Sequence, residues 1–269
     1  MQMDTKDHIR DITVSVVIPF CEAYTPKSSL KQAIQSVHDQ AIQTDIIIVE
    51  DPEQQGPAWA RNEGLKKAST RYVAFLDADD LWKHSKLERQ LAKMQHQDVG
   101  LCVEGPDMDL PDFIVELLLG DLKSHTSSIV IDTEKVTTRF RRDLIRFEDR
   151  FFMIECASES GVCLCNDLVC VRKHADGLSA SGSLEEKLKS RLKVASYLED
   201  LLDQHGLANR YRSYAYYAYG RGQQLAGRAR NSVVPLCKSL QYNLSFSSIA
   251  ALMLSPLLLI RDSVNYLNI

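Results

Sequence analysis

Three short apolar runs limit what this chain can fold into. Residues 12–20 read ITVSVVIPF, residues 45–50 read DIIIVE and residues 71–76 read RYVAFL. Each is rich in β-branched side chains, lacks polar alternation and has the length of a strand buried on both faces. Two segments with helical spacing separate them. In residues 30–40, Leu30, Ala33, Ile34 and Val37 share a face, and Ser28 or Ser29 can cap the start. Residues 58–68, AWARNEGLKKA, read as the second helix. The order strand–helix–strand–helix–strand predicts an open, mostly parallel α/β sheet with helices on both faces. A further helix is predicted over 81–95, with Leu87 and Leu91 inward and Asp80 placed to cap it.

Ligands of such sheets bind beyond the carboxyl ends of the strands, and here those ends are acidic. Phe20-Cys21-Glu22 follows the first strand, Glu50-Asp51 the second, and Asp77-Ala78-Asp79-Asp80 the third. Carboxylates gathered on one edge repel one another unless something positive relieves them. A hard divalent cation, Mg²⁺ or Mn²⁺, held by one or two carboxylates and by substrate phosphates, meets that need. The plain alternative is that aspartates after a strand cap the next helix.

The second half reads as a strand at 99–104, a helix ending near Gly120, a strand at 127–132, a helix at 143–156 and a strand or hairpin at 162–172. After Gly182 the pattern is helical: 184–205, 211–229, then a helix pair. The small-residue stretch SASGS places a boundary near 180–183. The expectation is an α/β domain over 1–182, with a donor half at about 12–100 and an acceptor half at about 101–182, followed by a helical extension over 183–269.

Composition removes some function classes. The formal net charge is −4, which gives no bulk attraction for nucleic acid. The stretch from Arg210 to Arg230 is the exception, since it contains no acid. The seven cysteines are irregularly spaced, and Cys163-Leu-Cys165 lacks a second ligand pair at zinc spacing. Free thiols in a reducing cytoplasm are expected. The polar start MQMDTKDHIRD has no apolar core, so no secretory signal is expected. Residues 249–260, IAALMLSPLLLI, fall short of the roughly 20 apolar residues needed to span a bilayer, and Ser255-Pro256 interrupts them. They read either as a core helix or as a patch resting on a membrane surface through 210–262; they could also serve an oligomer.

Taken in order, VSVVIPF, the helix ending in Gln40, IIIVED, and ARNEGLKKASTRYVAFLDADDLW resemble the family 2 glycosyltransferases. The likeness is strong over 13–95 and weaker over 125–182. It implies a GT-A fold, Rossmann-like, and an inverting transfer from a nucleotide-diphosphate sugar. A UDP-sugar is favoured as donor, and a glycan or lipid-linked molecule in cell-surface polysaccharide or glycoconjugate synthesis as acceptor. The resemblance puts Pro19, Phe20, Glu22, Asp51, Arg61, Asp77, Arg172 and His174 at the donor nucleotide. It makes Asp79, with Asp77, the ligand of Mn²⁺ or Mg²⁺, and it sets Trp82 and Glu148 on the acceptor side. Asp149 is the general base, which a sugar hydroxyl needs because it is a poor nucleophile at pH 7. A cytoplasmic enzyme, peripheral on the inner face of the membrane, is the location implied.

The chain also departs from the family pattern. Cys21-Glu22 stands where Tyr-Asn is common, and Pro52-Glu53 replaces Gly-Ser after the second strand's acids. Both lie where the nucleotide would bind. The basic run Arg139-Phe140-Arg141-Arg142 hints at an acidic or phosphorylated acceptor. Two other readings remain: a nucleotidyltransferase, although PFCEAYTPKSS lacks the glycine- and basic-rich loop of that class, and a non-catalytic scaffold with a degenerate transferase fold.

Overall fold

The computed structural model describes residues 11–120, 122, 124–172, 182–202 and 205–267. The chain divides into two compact units, Met1–Asp143 with Glu148–Gly177, and Leu144–Phe147 with Leu178–Ile269.

In the first unit the order is β1 (Thr13–Phe20), α1 (Lys27–His38), β2 (Gln43–Glu50), α2 (Pro57–Lys67), β3 (Tyr72–Phe75), β4 (Leu81–Trp82) and α3 (Lys86–Gln97). There follow β5 (Leu101–Glu104), α4 (Leu110–Leu119), β6 (Val130–Asp132), α5 (Glu148–Ser160), β7 (Val162–Cys165) and β8 (Val169–Cys170). The main sheet has the order β2-β1-β3-β6-β5-β7. β1 pairs in parallel with β2 and β3, and β5 in parallel with β7. β6 runs antiparallel to both β3 and β5. The mostly parallel α/β sheet expected from the sequence is therefore present, with one reversed strand joining its halves. Val14, Val16, Val17 and Ile18 on β1 and the whole of β3 are buried, as continuous apolar runs demand.

Gly64 brings α2 onto this sheet. A Cβ added there would lie 2.1 Å from a Val17 methyl, so only glycine permits the approach.

Several local expectations are corrected. Leu81 and Trp82 are not helical; they pair antiparallel with Cys170 and Val169. α3 begins only at Lys86. Asp80 caps no helix, because its carboxylate is taken up by Ser127 and Arg172. α1 starts at Lys27, after Pro26, without a side-chain cap from Ser28 or Ser29. The helix expected over 143–156 begins at Glu148, and Phe147 just before it has φ 65, a left-handed value that a helix interior excludes.

The second unit holds α6 (Leu184–Leu202), α7 (His205–Leu225), α8 (Val233–Tyr242) and α9 (Phe246–Leu267). Its buried polar residues are uncharged: Ser190, Ser213, Gln223, Gln224, Ser232, Ser239, Ser248 and Ser255. Phe147 belongs to this unit and lies under the Arg191 guanidinium, 4.9 Å from ring centroid to Cζ. Among the described residues no helix is long and apolar enough to cross a membrane.

Candidate functional site

The carboxyl ends of β1, β2 and β3 share one edge because the three strands are parallel neighbours. Asp51 follows β2 and is buried; its N–H donates to the Phe20 carbonyl at 2.9 Å. Its two carboxylate oxygens accept the backbone N–H groups of Gln55 and Gly56, each at 2.8 Å. Asp51 thus closes its own loop, with Gly56 at φ 99, at the place where contact with the donor nucleotide was expected.

The Asp77–Asp80 turn is held from below by Ser127, which is fully buried. Ser127 Oγ accepts the Asp77 N–H at 3.1 Å and donates to Asp80 Oδ2 at 2.6 Å. Its carbonyl accepts the Trp82 indole N–H at 2.7 Å. Burial, then the charges of Asp77 and Asp79, push the Asp80 carboxyl up to about 7, against the hydrogen bonds from Ser127 and Arg172. Asp80 is thus a structural acid, while Asp77 keeps 33% of its side chain exposed.

Arg61 joins the two halves of the unit. It is only 4% exposed; Nη2 donates to Asp77 at 2.9 Å and Nη1 to Glu148 at 3.0 Å. Burial works against the guanidinium's charge, but Asp77 and Glu148 outweigh it and hold the pKa above its ordinary value. Burial and the neighbouring Asp149 push Glu148 up to about 7, opposed by Arg61. Next to Arg61, the Asn62 amide clamps the Phe140 backbone in both directions, at 2.8 and 2.9 Å. The Phe140 ring stacks on Phe152 at 3.8 Å and lies under the Arg61 guanidinium at 5.3 Å. The ARNEG segment therefore does three things with three residues: Arg61 bridges the acids, Asn62 fixes the 139–142 loop, and Gly64 seats the helix.

The remaining expected residues fall as follows. Asp149 lies half-buried in the first turn of α5, and its Oδ1 accepts the Arg150 N–H at 2.8 Å. Asp79 is half-buried, and its carbonyl accepts Arg172 Nε. Arg172 also donates its N–H to Asp80 at 3.2 Å and contacts Gln32 and the Ser29 carbonyl on α1. Pro19 is half-buried, and Glu22 is exposed and pairs with Lys27 at 3.0 Å. Phe20 and Trp82 are core residues, 6% and 5% exposed, packed in the cluster around β1. For Trp82 this corrects the acceptor-side placement, since its ring is covered and its indole N–H is spent on Ser127. His174 lies outside the described residues. The basic 139–142 run is also less free than its charge implied, because Arg141 pairs with Glu155 at 2.7 Å.

Ser127 was missed from the sequence. It sits 47 positions from Asp80 in an ordinary HTSSIVID run, so no local signal marks it. Among the described residues no group of three or more His, Cys, Asp or Glu could by itself hold a metal ion. The donor set on offer is smaller, Asp77 and Asp79. Two hard oxygen ligands, both half-buried, fit a Mg²⁺ or Mn²⁺ ion that takes its other ligands from water and phosphate.

Residues 41–113 match the family described as "Glycosyl transferase family 2". A glycosyltransferase of Rickettsia bellii, described as uncharacterized, is 35% identical over 35% of this chain and 16% of its own length. One from Haemophilus influenzae, described in the same way, is 28% identical over 54% of this chain and 72% of its own. An Escherichia coli protein, "UDP-Glc:alpha-D-GlcNAc-diphosphoundecaprenol beta-1,3-glucosyltransferase WfgD", is 50% identical over 16% of this chain and 17% of its own. The chain thus spans only about a sixth of the length of two of these relatives. S. aureus TarS 1-349, solved with UDP-GlcNAc, superposes with a TM-score of 0.60 at 15% identity, covering 92% of this chain and 86% of that one. The mannosyltransferase PcManGT of Pyrobaculum calidifontis, solved with GDP-Man and Mn²⁺, gives 0.55 at 16%, covering 94% and 86%. At these identities the structural likeness is one of fold. The segment that matches glycosyl transferase family 2 carries the β2 acids, the ARNEG helix and the LDADD turn, and the fold of the chain is the GT-A fold of these solved structures.

Proposed function

We propose that this protein is an inverting glycosyltransferase that moves a sugar from a nucleotide-diphosphate donor, UDP-linked by preference, to a glycan or lipid-linked acceptor in surface polysaccharide synthesis. The observation that carries the reading is the Arg61 bridge. One buried guanidinium spans Asp77, on the donor edge, and Glu148, adjacent to Asp149, so the acids of the two halves stand about one side chain apart. A single displacement needs that closeness: a base on one side of the anomeric carbon and charge neutralisation on the other. Asp149 takes the proton of the attacking hydroxyl. Arg61 holds Asp77 and Glu148 in register, and Ser127 fixes the turn that carries Asp77 and Asp79. A divalent ion held by Asp79 and Asp77 would stabilise the charge growing on the departing diphosphate. The relatives support the class: PcManGT was solved with Mn²⁺ and a nucleotide sugar, TarS with UDP-GlcNAc, and WfgD is named for a UDP-glucose donor and a diphosphoundecaprenol acceptor.

One observation favours the scaffold reading. Asp51, expected at the donor nucleotide, already spends both carboxylate oxygens on its own loop. Calorimetry with UDP and GDP, each with and without Mn²⁺, separates the two. Metal-dependent UDP binding is expected in the wild type, lost in Asp79→Ala and retained in Asp149→Asn. Turnover of Asp149→Asn is expected to fall by about 10²–10⁴-fold. Failure of every nucleotide to bind under both conditions would replace the transferase reading with the scaffold.

A further inference from the structure

The helical unit buries Val194, Leu198, Tyr211 and Leu236, but along α9 the polarity is reversed. On α9, Ser248, Ala251 and Ser255 face the other helices, while Phe246 is 85%, Met253 73% and Leu254 44% exposed. Phe246, Ala250 and Met253 follow one another at i, i+4 and i+7, which sets one stripe along the helix opposite the buried serines. Val234 on α8 and Leu244 in the connection before α9 are exposed as well. Inside, hydroxyls bond to hydroxyls: Ser239 Oγ lies 3.0 Å from Ser213 Oγ and 2.7 Å from Ser248 Oγ. Gln224 donates to the Ala251 carbonyl and to Ser255 at 2.8 and 2.9 Å. A water-facing helix places these residue types the other way round, and a contiguous exposed apolar face marks a surface that meets an apolar phase.

Charge identifies that phase. Residues 204–261 contain no Asp or Glu and seven Lys or Arg, at 210, 212, 221, 228, 230, 238 and 261. The other residues carry 25 of the 32 Lys and Arg and all 36 Asp and Glu, so the chain as a whole is acidic and this stretch is strongly basic. Arg212 is occupied by Glu199; Arg210, Arg228, Arg230 and Lys238 are exposed, Lys238 with its Nζ 5.4 Å from the Tyr216 ring centroid. Arg230, in the 3-10 turn Ala229–Ser232, and Lys238, on α8, belong to the elements packed against α9. Apolar side chains flanked by cations fit the boundary between the acyl chains and headgroups of an anionic bilayer. A second copy of the chain fits less well, because a two-fold contact would bring the same cations together with no acid in the stretch to answer them.

We infer that the outer face of α8 and α9, with Phe246 and Met253 as apolar anchors and Arg230 and Lys238 as headgroup contacts, docks the protein on an anionic lipid surface without crossing it. This deepens the reading of a lipid-linked acceptor and rests on it for its purpose, though not for its observations. The test is flotation of the full chain with phosphatidylcholine vesicles, alone or with about a third phosphatidylglycerol. The wild type is expected to float with the anionic vesicles, and to do so less as salt rises. The double variants Phe246→Asp/Met253→Asp and Arg230→Glu/Lys238→Glu are each expected to lose about tenfold or more in vesicle affinity. Their circular dichroism and UDP binding should match the wild type. Absence of wild-type flotation, or equal flotation of folded variants, would overturn the inference. So would a wild-type dimer that Phe246→Asp/Met253→Asp dissolves in the absence of lipid, which would assign the face to a second copy. If the wild type floats but binds no nucleotide, the docking surface stands and the transferase reading falls.

Discussion

The two units of this protein bury polarity in different ways. In the α/β unit, Asp51, Arg61, Asp80, Lys86, Asp132 and Glu148 are all buried charges or buried titratable groups; in the helical unit the buried polar residues described are serines and glutamines. Taking a charge out of water costs several kcal/mol unless partners answer it, whereas a hydroxyl is satisfied by one neighbour. The α/β unit accepts that cost at the edge where three acidic strand ends meet, through Asp51, Asp80, Arg61 and Glu148, and also away from it, at Asp132 paired with Arg71 and at Lys86 bonded to Gln90. The helical unit avoids it, keeping its cations outside beside exposed Phe, Met and Leu. Buried charge is thus concentrated in the α/β unit, and exposed large apolar side chains in the helical one.

Arg61→Ala strikes this contrast hardest. It leaves Glu148 buried without its partner and Asp77 half-supported. The expected loss is about 3 kcal/mol, at the low end for broken buried pairs because a third of the Asp77 side chain reaches solvent. Urea denaturation measures it, and a loss below about 1 kcal/mol would mean that the bridge organises nothing.

Lys86 sharpens the comparison with the opposite sign. It is fully buried, donates to Gln90 at 2.6 Å and lies 4.2 Å from the Trp82 ring, and burial lowers its pKa from 10.5 to about 7. Between pH 7 and 10.5 the unfolded chain therefore binds more protons than the folded one, so stability rises with pH across that window. Lys86→Met removes the slope. It is expected to be more stable than the wild type by about 2 kcal/mol at pH 6, after the lost hydrogen bond and cation–π contact are subtracted. The difference should shrink as pH rises above 7 and change sign before pH 10, because the wild type gains roughly 4 kcal/mol across that range. Thermal melts at several pH values check this, and a constant offset would contradict a buried titrating lysine.

Ser239→Ala in the helical unit should have the smallest effect. It removes one member of the Ser213–Ser239–Ser248 chain and is expected to cost about 1 kcal/mol, independent of pH. A loss as large as that of Arg61→Ala would erase the distinction between the two units.

Much of the acidic edge was legible because it is local. An apolar run, a turn and an acid lie within a few residues, and parallel pairing of β1, β2 and β3 brings their ends together. What escaped is long-range. The bond from Ser127 to Asp80 spans 47 positions and that from Arg61 to Glu148 spans 87. Trp82 looks like an exposed aromatic after an acidic turn, yet pairing with Val169 turns it into the core. Helix periodicity carried on through Leu81 and Trp82 because their spacing fits a helix as well as a strand, and only the partner strand decides between them.

By itself, then, the sequence determined the α/β sheet, the acidic strand ends and the basic, acid-free tail, since strand burial, turn chemistry and net charge are properties of neighbouring residues. Only the tertiary structure decided which acids are structural and which stay open. It made Asp80 an internal acid, set Arg61 between two carboxylates and turned the serines of the tail inward with Phe246 and Met253 outward. Each of those outcomes depends on which side chains are covered, and coverage is supplied by residues distant in the chain.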